Sequence, residues 1–84
     1  MSEDLRATVC EILLKGVEGL DRPAAAQALR RREDVTLAEL ELTSLKTVEV
    51  LMEVHDHLGV DLDMEEFDRI ETVSDLLTVI GERR

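Results

Sequence analysis

The chain has 84 residues, 44% of them hydrophobic, and a formal net charge of -10 from ten basic and twenty acidic side chains. That charge argues against nucleic acid as a direct ligand, and the length allows one small domain. No apolar run approaches the roughly 20 residues of a membrane span, and the charged N-terminus lacks the apolar region of a secretory signal. A single cysteine, Cys10, excludes an internal disulfide and favours a cytoplasmic location.

The first predicted helix covers residues 2–16. Its apolar residues recur at helical spacing, Ser2 is a suitable N-cap, and Gly16 is a natural stop. This periodicity favours a folded helical chain over the disorder that high net charge and a single aromatic residue would otherwise indicate. Cys10 lies near the apolar stripe and is expected to be a small core residue rather than a nucleophile.

Residues 17–43 form a long and less regular connection. Pro23 and the alanine-rich run after it predict a short helix, with Arg30, Arg31 and Arg32 in its last turn as a solvated end. The apolar residues between Val35 and Leu42 are expected to hold the connection against the core. Their alternation also leaves open a short strand, although no partner strand is evident.

Residues 44–59 carry the clearest helical pattern, with Thr43 or Ser44 as the cap and Gly59 as the end. Side chains placed about 100° apart give two apolar surfaces. The predicted core face is Val50, Leu51, Val54 and Leu58. The second surface is Leu45, Val48 and Met52, flanked by Glu49 and Asp56, with Lys46 and Glu53 further round. An exposed apolar strip edged by carboxylates predicts a partner-docking surface. The alternative is that it packs beneath the long connection.

The rest of the chain predicts an extended link over residues 60–63 and a short helix over 64–69, with Phe67 facing inward. Thr72 or Ser74 then caps a final helix closed by Gly81, and residues 82–84 form a solvated tail. The predicted fold is therefore all-α: a four-helix bundle of three main helices, one short helix and a long first loop, in one domain over residues 1–84.

Signals for catalysis or metal binding are weak. His55 and His57 are two residues apart on a helix and so point about 200° away from one another, which rules out a shared metal ion. The chain has no Gly-rich phosphate loop and no Cys-x-x-Cys pair. We therefore do not expect an enzyme.

The segment Leu40-Glu41-Leu42-Thr43-Ser44-Leu45 resembles the Leu-Gly-x-Asp-Ser-Leu motif of acyl carrier and peptidyl carrier proteins. The run from Ile70 to Leu76 is similar to that family's entry into its last helix. The resemblance implies a four-helix bundle and a 4′-phosphopantetheine group attached to Ser44 by a separate transferase. Two positions depart from the motif. Glu41 replaces Gly, and Thr43 replaces an Asp that helps to hold the metal ion of some transferases.

What the resemblance further implies is a free-standing, monomeric acyl or aminoacyl carrier that passes thioester-bound intermediates between enzymes. Its expected partners are the phosphopantetheinyl transferase, a loading ligase, and downstream synthase or modifying enzymes. The partner-binding residues would be Thr43, Leu45, Lys46, Val48, Glu49, Met52, Glu53 and Asp56.

The acidic charge is concentrated in this half of the chain, since residues 44–82 hold eleven acids and two bases (net -9). The departures at Glu41, Thr43 and Lys46 favour a specialised pathway, such as polyketide or non-ribosomal peptide synthesis, over bulk fatty-acid synthesis. Two alternatives remain. One is an unmodified carrier-like adaptor or regulator that docks through its second helix, and the weaker one is an acidic mimic of nucleic acid.

Overall fold

The structure, a computed structural model, describes residues 3–19 and 21–84. Its helices are α1 (Glu3–Val17), α2 (Pro23–Arg30), α3 (Leu37–Leu40), α4 (Ser44–Leu58), α5 (Met64–Arg69) and α6 (Val73–Arg83). The all-α fold class is confirmed: the described residues form no strand beyond one isolated bridge. Four of these helices correspond to the predicted bundle, and the long first loop contains the other two. In the described part of the chain, no helix is both long and apolar enough to cross a membrane.

The core is aliphatic, with Phe67 as its aromatic member. Helix α1 packs mainly against α4 and α2 and also contacts α6, while α5 packs on α4. The buried apolar side chains are Leu5, Val9, Cys10, Ile12, Leu13 and Val17 of α1; Leu29, Leu37 and Leu40 of the first loop; Val50 and Val54 of α4; and Val60, Leu62, Phe67, Val73, Leu76, Leu77 and Ile80 beyond it. Every described segment therefore contributes to one core.

Helix α1 does not stop at Gly16, as predicted, but continues to Val17. Gly16 is buried in the last turn, where a Cβ atom would lie 2.9 Å from Cγ2 of Val50 and 3.3 Å from Cδ2 of Leu42. The glycine is therefore explained by the close approach of α1 to α4 and not by helix termination. The predicted cap, Ser2, lies outside the described residues.

Helix α2 forms where the alanine-rich run predicted it, with Pro23 in its first turn. The prediction for the arginine triplet is wrong in part. Arg30 ends the helix and Arg31 is its C-cap, but Arg32 has a φ of 58° and lies outside the helix.

The short strand left open between Val35 and Leu42 is reduced to a single antiparallel bridge between Thr36 and Thr72. The Leu37 amide donates to the Glu71 carbonyl (2.7 Å), and the Val73 amide donates to the Val35 carbonyl (3.0 Å). The partner of this segment is therefore the stretch around Thr72, but the pairing consists of only two hydrogen bonds. The bridge connects the first loop to the start of α6.

Immediately after the bridge, the chain forms α3, which the sequence analysis missed. Thr36 and Glu39 make a reciprocal capping box: the Thr36 side chain accepts from the Glu39 amide, and the Glu39 carboxylate accepts from the Thr36 amide. This cap stabilises a helix of only four residues.

Helices α4 and α5 match their predicted bounds, and Thr72 caps α6 through the Asp75 amide (3.1 Å). The predicted end at Gly81 is wrong, because α6 continues to Arg83. The tail is also not simply solvated. Arg83 pairs with Glu66 and donates to the Asp61 carbonyl (3.1 Å), which fastens the end of α6 to α5 and the link before it.

Candidate functional site

The N-terminus of α4 is organised by Thr43, which is its N-cap. The Thr43 hydroxyl accepts from the Lys46 amide (3.1 Å), and its carbonyl accepts from the Thr47 amide (2.8 Å). Ser44 is the first residue of the helix and not its cap. Of the two capping candidates, Thr43 is therefore the one used. A threonine at this position retains the capping function of an aspartate but not its charge.

Ser44 is exposed, and its hydroxyl makes no hydrogen bond with the residues that the structure describes. It begins a helix of 15 residues. The amides of Ser44 and Leu45 precede the first intrahelical bond, so this end of the helix favours negative charge. A phosphate ester formed on the Ser44 hydroxyl would lie where the helix dipole and free amides favour an anion. The residues present therefore fit a phosphate-linked prosthetic group.

Just upstream, Glu41 occupies a left-handed backbone conformation with a φ of 47°. This is the position at which the carrier motif has Gly, and a left-handed φ explains that preference because glycine alone adopts it without a Cβ penalty. Here the Glu41 carboxylate lies 3.2 Å from Nε of Arg22, at the start of α2. The departure from the motif thus comes with an ion pair that joins the segment before Ser44 to α2.

The two predicted faces of α4 are distinct. Val50 and Val54 are 1% exposed. The second surface, which we call the outward stripe, consists of Leu45 (70% exposed), Val48 (40%) and Met52 (61%). The alternative in which it packs beneath the first loop is wrong.

The core face differs from the prediction in its membership. Leu51 and Leu58 are only half-buried, whereas Thr47 is buried at 6% exposed and belongs to this face. Thr47 was missed because its hydroxyl removes it from an apolar count. Its position three residues before Val50 is the signal that would have identified it.

Three carboxylates of α4, which we call the acidic edge, lie beside the outward stripe: Glu49, Glu53 and Asp56. Each has a basic side chain of the same helix nearby. Lys46 lies 3.8 Å from Glu49, and His57 lies 2.8 Å from Glu53.

His55 lies 3.6 Å from Asp56 and also reaches Asp61, in the link after α4, at 3.5 Å. The two histidines, which the sequence analysis considered only as metal ligands, therefore lie beside the carboxylates of this helix, and His57 forms a hydrogen bond with Glu53. The signal that was available is the four-residue spacing of Glu53 and His57.

The main cavities formed by the described residues are not lined by Ser44. One of them, about 580 Å³, is an open groove along α2 lined by both charged and small apolar residues. A smaller one of about 210 Å³ lies beside α4, lined in part by Leu42, Thr47, Phe67 and Ile70. The described residues contain no cluster able to hold a metal ion. Cys10 is buried as expected, and burial raises the pKa of its thiol, which disfavours the reactive thiolate.

Residues 3–80 match the sequence profile of the protein family described as "Phosphopantetheine attachment site". A curated relative, the acyl carrier protein of Rickettsia bellii (strain OSU 85-389), is 40% identical over 52 residues, which cover 61% of this chain and 64% of the relative. The match thus spans less than two thirds of the relative's length. No solved structure is a significant match. The predicted family resemblance is confirmed: the chain belongs to the phosphopantetheine attachment family, whose members are carriers rather than enzymes and bear covalently attached 4′-phosphopantetheine.

Proposed function

We propose that Ser44 is the residue to which 4′-phosphopantetheine is attached, and that residues 1–84 form a single acyl or aminoacyl carrier domain. The observation that carries this proposal is that the adjacent residues Thr43 and Ser44 have different structural roles. Thr43 caps α4, which leaves the Ser44 hydroxyl exposed and unbonded at the first helical position. The attached group supplies a terminal thiol on a flexible arm, which holds an acyl cargo as a thioester.

The remaining tasks belong to the chain's own residues. The first turn of α4 holds the attachment point on a fixed backbone and favours the phosphate charge. The outward stripe supplies apolar contact to partner enzymes. Basic partner surfaces are attracted by the carboxylates beside it, Glu49, Glu53 and Asp56. Such charges mainly raise the rate of encounter and orient the two proteins, which suits a carrier that must also dissociate.

The partners proposed for this surface are a phosphopantetheinyl transferase, a loading ligase and downstream synthase or modifying enzymes. We propose that the chain acts as a monomer, because the outward stripe is then free for each partner in turn. A lone, buried cysteine agrees with the reducing cytoplasm as its compartment.

We also propose that the pathway is a specialised one, such as polyketide or non-ribosomal peptide synthesis. This proposal is supported by residues that lie close to Ser44 in the sequence. Glu41 and Thr43 replace the Gly and Asp of the carrier motif, and Lys46 neutralises part of the acidic edge two residues after Ser44. These changes alter the surface that a transferase or synthase meets first.

Attachment is tested by incubating the purified chain with coenzyme A and phosphopantetheinyl transferases of different classes, followed by intact mass spectrometry. We expect one adduct on the native chain and none on Ser44→Ala. Ser74→Ala is the matched control, since Ser74 also lies at a helix N-terminus but its hydroxyl accepts from Arg6 (3.4 Å). An adduct that persists in Ser44→Ala and maps elsewhere would contradict the site.

The docking surface is tested by the rate of the same modification. Met52→Asp places a carboxylate on the outward stripe without touching Ser44, and we expect at least a severalfold slower reaction at unchanged thermal stability. The control is Thr78→Asp, on the exposed side of α6. Equal rates for both variants would remove the stripe from the docking surface.

The pathway is tested by offering the modified chain to a panel of acyl and aminoacyl ligases and to the enzymes of fatty-acid elongation. Loading by a specialised ligase is the expected result. Function in fatty-acid elongation alone would contradict this part of the proposal and leave Ser44 as the attachment site.

A further inference from the structure

The end of α2 has an unusual residue at a position with strict backbone requirements. The Arg32 amide donates to the Leu29 carbonyl (3.0 Å), and the Glu33 amide donates to the Ala28 carbonyl (2.9 Å). These two bonds define a Schellman motif, whose left-handed residue is usually glycine. Arg32 occupies it with a φ of 58°, whereas α4 ends with Gly59 at 68°. Since any residue with a Cβ is disfavoured there, backbone stability does not explain the arginine.

Arg32 belongs to a cluster that we call the arginine patch, formed by Arg6, Arg30, Arg31 and Arg32. It holds half of the eight arginines of a strongly acidic chain. The patch is preformed. Arg6 donates through Nη1 to the Arg32 carbonyl (3.3 Å), and Arg32 donates through Nη1 to the Arg30 carbonyl (3.4 Å).

The positive charge of the patch is only partly neutralised within the chain. Arg31 lies 3.7 Å from Glu33, and both side chains are mostly exposed. No carboxylate among the described residues lies within 4.0 Å of the guanidinium of Arg30 or Arg32. Two exposed guanidinium groups are therefore available to an external anion.

Beneath the patch, between α1 and α2, lies a cleft of about 200 Å³. Its apolar lining comes from Ala7, Cys10, Leu14 and Leu29; its charged rim comes from Arg30, Arg32 and Glu11. None of these residues belongs to α4. The cleft thus combines an apolar floor with two arginines at its rim. Its lining residues are all different from those of the outward stripe.

We propose that this arginine-rimmed cleft is a second docking surface, whose occupant is an acidic segment of a partner protein that inserts an aliphatic side chain between α1 and α2. Charge complementarity favours carboxylates, because guanidinium groups bind them through paired hydrogen bonds. The net charge of -10 opposes every anionic ligand, so the apolar floor is what favours a protein segment, whose aliphatic side chain can fill the cleft, over a polyphosphate or an anionic membrane. The proposal does not depend on modification at Ser44.

The first test is a titration of the ¹⁵N-labelled full chain with a synthetic peptide of alternating glutamate and leucine, followed by two-dimensional NMR. We expect shift changes confined to residues 7–14 and 29–33, weakening severalfold as salt is raised from low to physiological concentration. The matched lysine–leucine peptide is expected to perturb α4 instead. Shifts from the acidic peptide that fall elsewhere, or none at all, would overturn the proposal.

The second test uses variants that do not threaten the fold. Arg32→Gly removes a guanidinium and relieves the backbone, so we expect a higher melting temperature together with at least severalfold weaker binding of the acidic peptide. Arg69→Gln, an exposed arginine of α5 outside the patch, is the charge-matched control and should bind as the native chain does. Unchanged binding in Arg32→Gly would contradict the proposal.

The third test identifies the class of ligand. Duplex DNA and vesicles containing anionic phospholipid are added separately to the labelled chain in place of the peptide. We expect no shift at the arginine patch from either. Binding of DNA or vesicles that is tighter than that of the acidic peptide, and that is lost in Arg32→Gly, would replace a protein partner with a phosphate-bearing one.

Discussion

The segments before and after α4 both contribute to the core, but they differ in burial and in backbone. Among the described residues, three side chains are buried in the segment before α4 and seven in the segment after it. In the described part of the first segment, residues 18–19 and 21–43, three non-glycine residues adopt a positive φ: Asp21 (56°), Arg32 (58°) and Glu41 (47°). In the second, residues 59–84, the positive φ belongs to Gly59. All three of the unfavourable positions carry charged side chains. Charged residues with a Cβ therefore occupy left-handed positions in the first segment, which costs backbone stability, whereas glycine occupies the left-handed position of the second segment.

Despite this strain, the first segment is not a loose loop. Leu29, Leu37 and Leu40 are in the core, and the bridge between Thr36 and Thr72 joins the two segments directly. Asp34 adds a further tie by accepting from the Ser74 amide (2.9 Å). A connection with an irregular backbone can therefore place fully buried side chains in the core, although it places fewer of them than the regular helices of the second segment.

The largest expected effects come from Leu40→Ala and Leu76→Ala, which compare one core position in each segment. Both leucines are fully buried, one in each segment. We expect each substitution to lower the free energy of unfolding by about 2–5 kcal/mol, because the lost burial is accompanied by a cavity. Urea denaturation followed by circular dichroism measures both. A loss below about 1 kcal/mol for Leu40→Ala alone would show that the first segment is loosely packed.

The backbone difference is tested by exchanging residue types at two left-handed positions. Gly59→Ala should destabilise by about 1–2 kcal/mol, because a Cβ is introduced at a φ of 68°. Glu41→Gly should have the opposite sign, with a gain reduced to under about 1 kcal/mol by loss of the ion pair with Arg22.

Glu41→Ala is the control, because it removes the ion pair without relieving the backbone and should not stabilise. Denaturant midpoints decide among the three variants. If Glu41→Gly destabilised the chain as much as Glu41→Ala, the ion pair would dominate at this position and the strain argument would fail.

The cap at the junction of the first segment and α4 should have an intermediate effect. Thr43→Ala removes the acceptor of the Lys46 amide and should lower stability by about 1 kcal/mol. Thr43→Asp keeps the cap and adds favourable charge at the helix N-terminus, so its stability should match or exceed that of the native chain. Thermal denaturation measures both variants, and hydrogen exchange in the first turn of α4 locates the change. Equal losses for Ala and Asp would exclude the capping role.

The smallest effect concerns the exposed pair that ends the second segment. The Arg83 hydrogen bond, aided by the Asp63 amide, lowers the pKa of Glu66. Because the folded pKa is below the unfolded one, the stabilisation is present above the unfolded pKa and is lost as pH falls through the folded pKa. Arg83→Ala should therefore raise the Glu66 pKa and be less stable than the native chain at pH 7 but not at low pH. Carboxyl NMR titration and pH-dependent unfolding measure both, and an unchanged Glu66 pKa would contradict the pairing.

Helices α1, α4, α5 and α6 were predictable because their signals are local. Periodic apolar residues and capping side chains lie within a few positions of the structure that they specify. The two misplaced ends, at Gly16 and Gly81, share one cause. Glycine was interpreted as a terminator, but Gly16 is present because Val50 leaves no room for a side chain.

The rest of the first segment depended on information that is not local. The bridge from Thr36 pairs residues 36 positions apart, which no window of sequence reveals. Helix α3 did have a local signal, the Thr-x-x-Glu spacing of Thr36 and Glu39, but four residues are too few for periodicity to support it. At the site, exposure of the outward stripe followed from the pattern. The left-handed Glu41 and its contact with Arg22 required the fold.

The position of Ser44 as the first residue of α4, with capping left to Thr43, has a thermodynamic consequence. A group joined to the Ser44 hydroxyl breaks no hydrogen bond of the described fold and fills no part of its core. Since linkage requires a ligand to interact differently with the folded and unfolded chains, attachment here couples to folding only through the small favourable term between a phosphate and the helix dipole. The apo and modified forms should therefore differ only slightly in stability, and attachment requires no refolding of the chain.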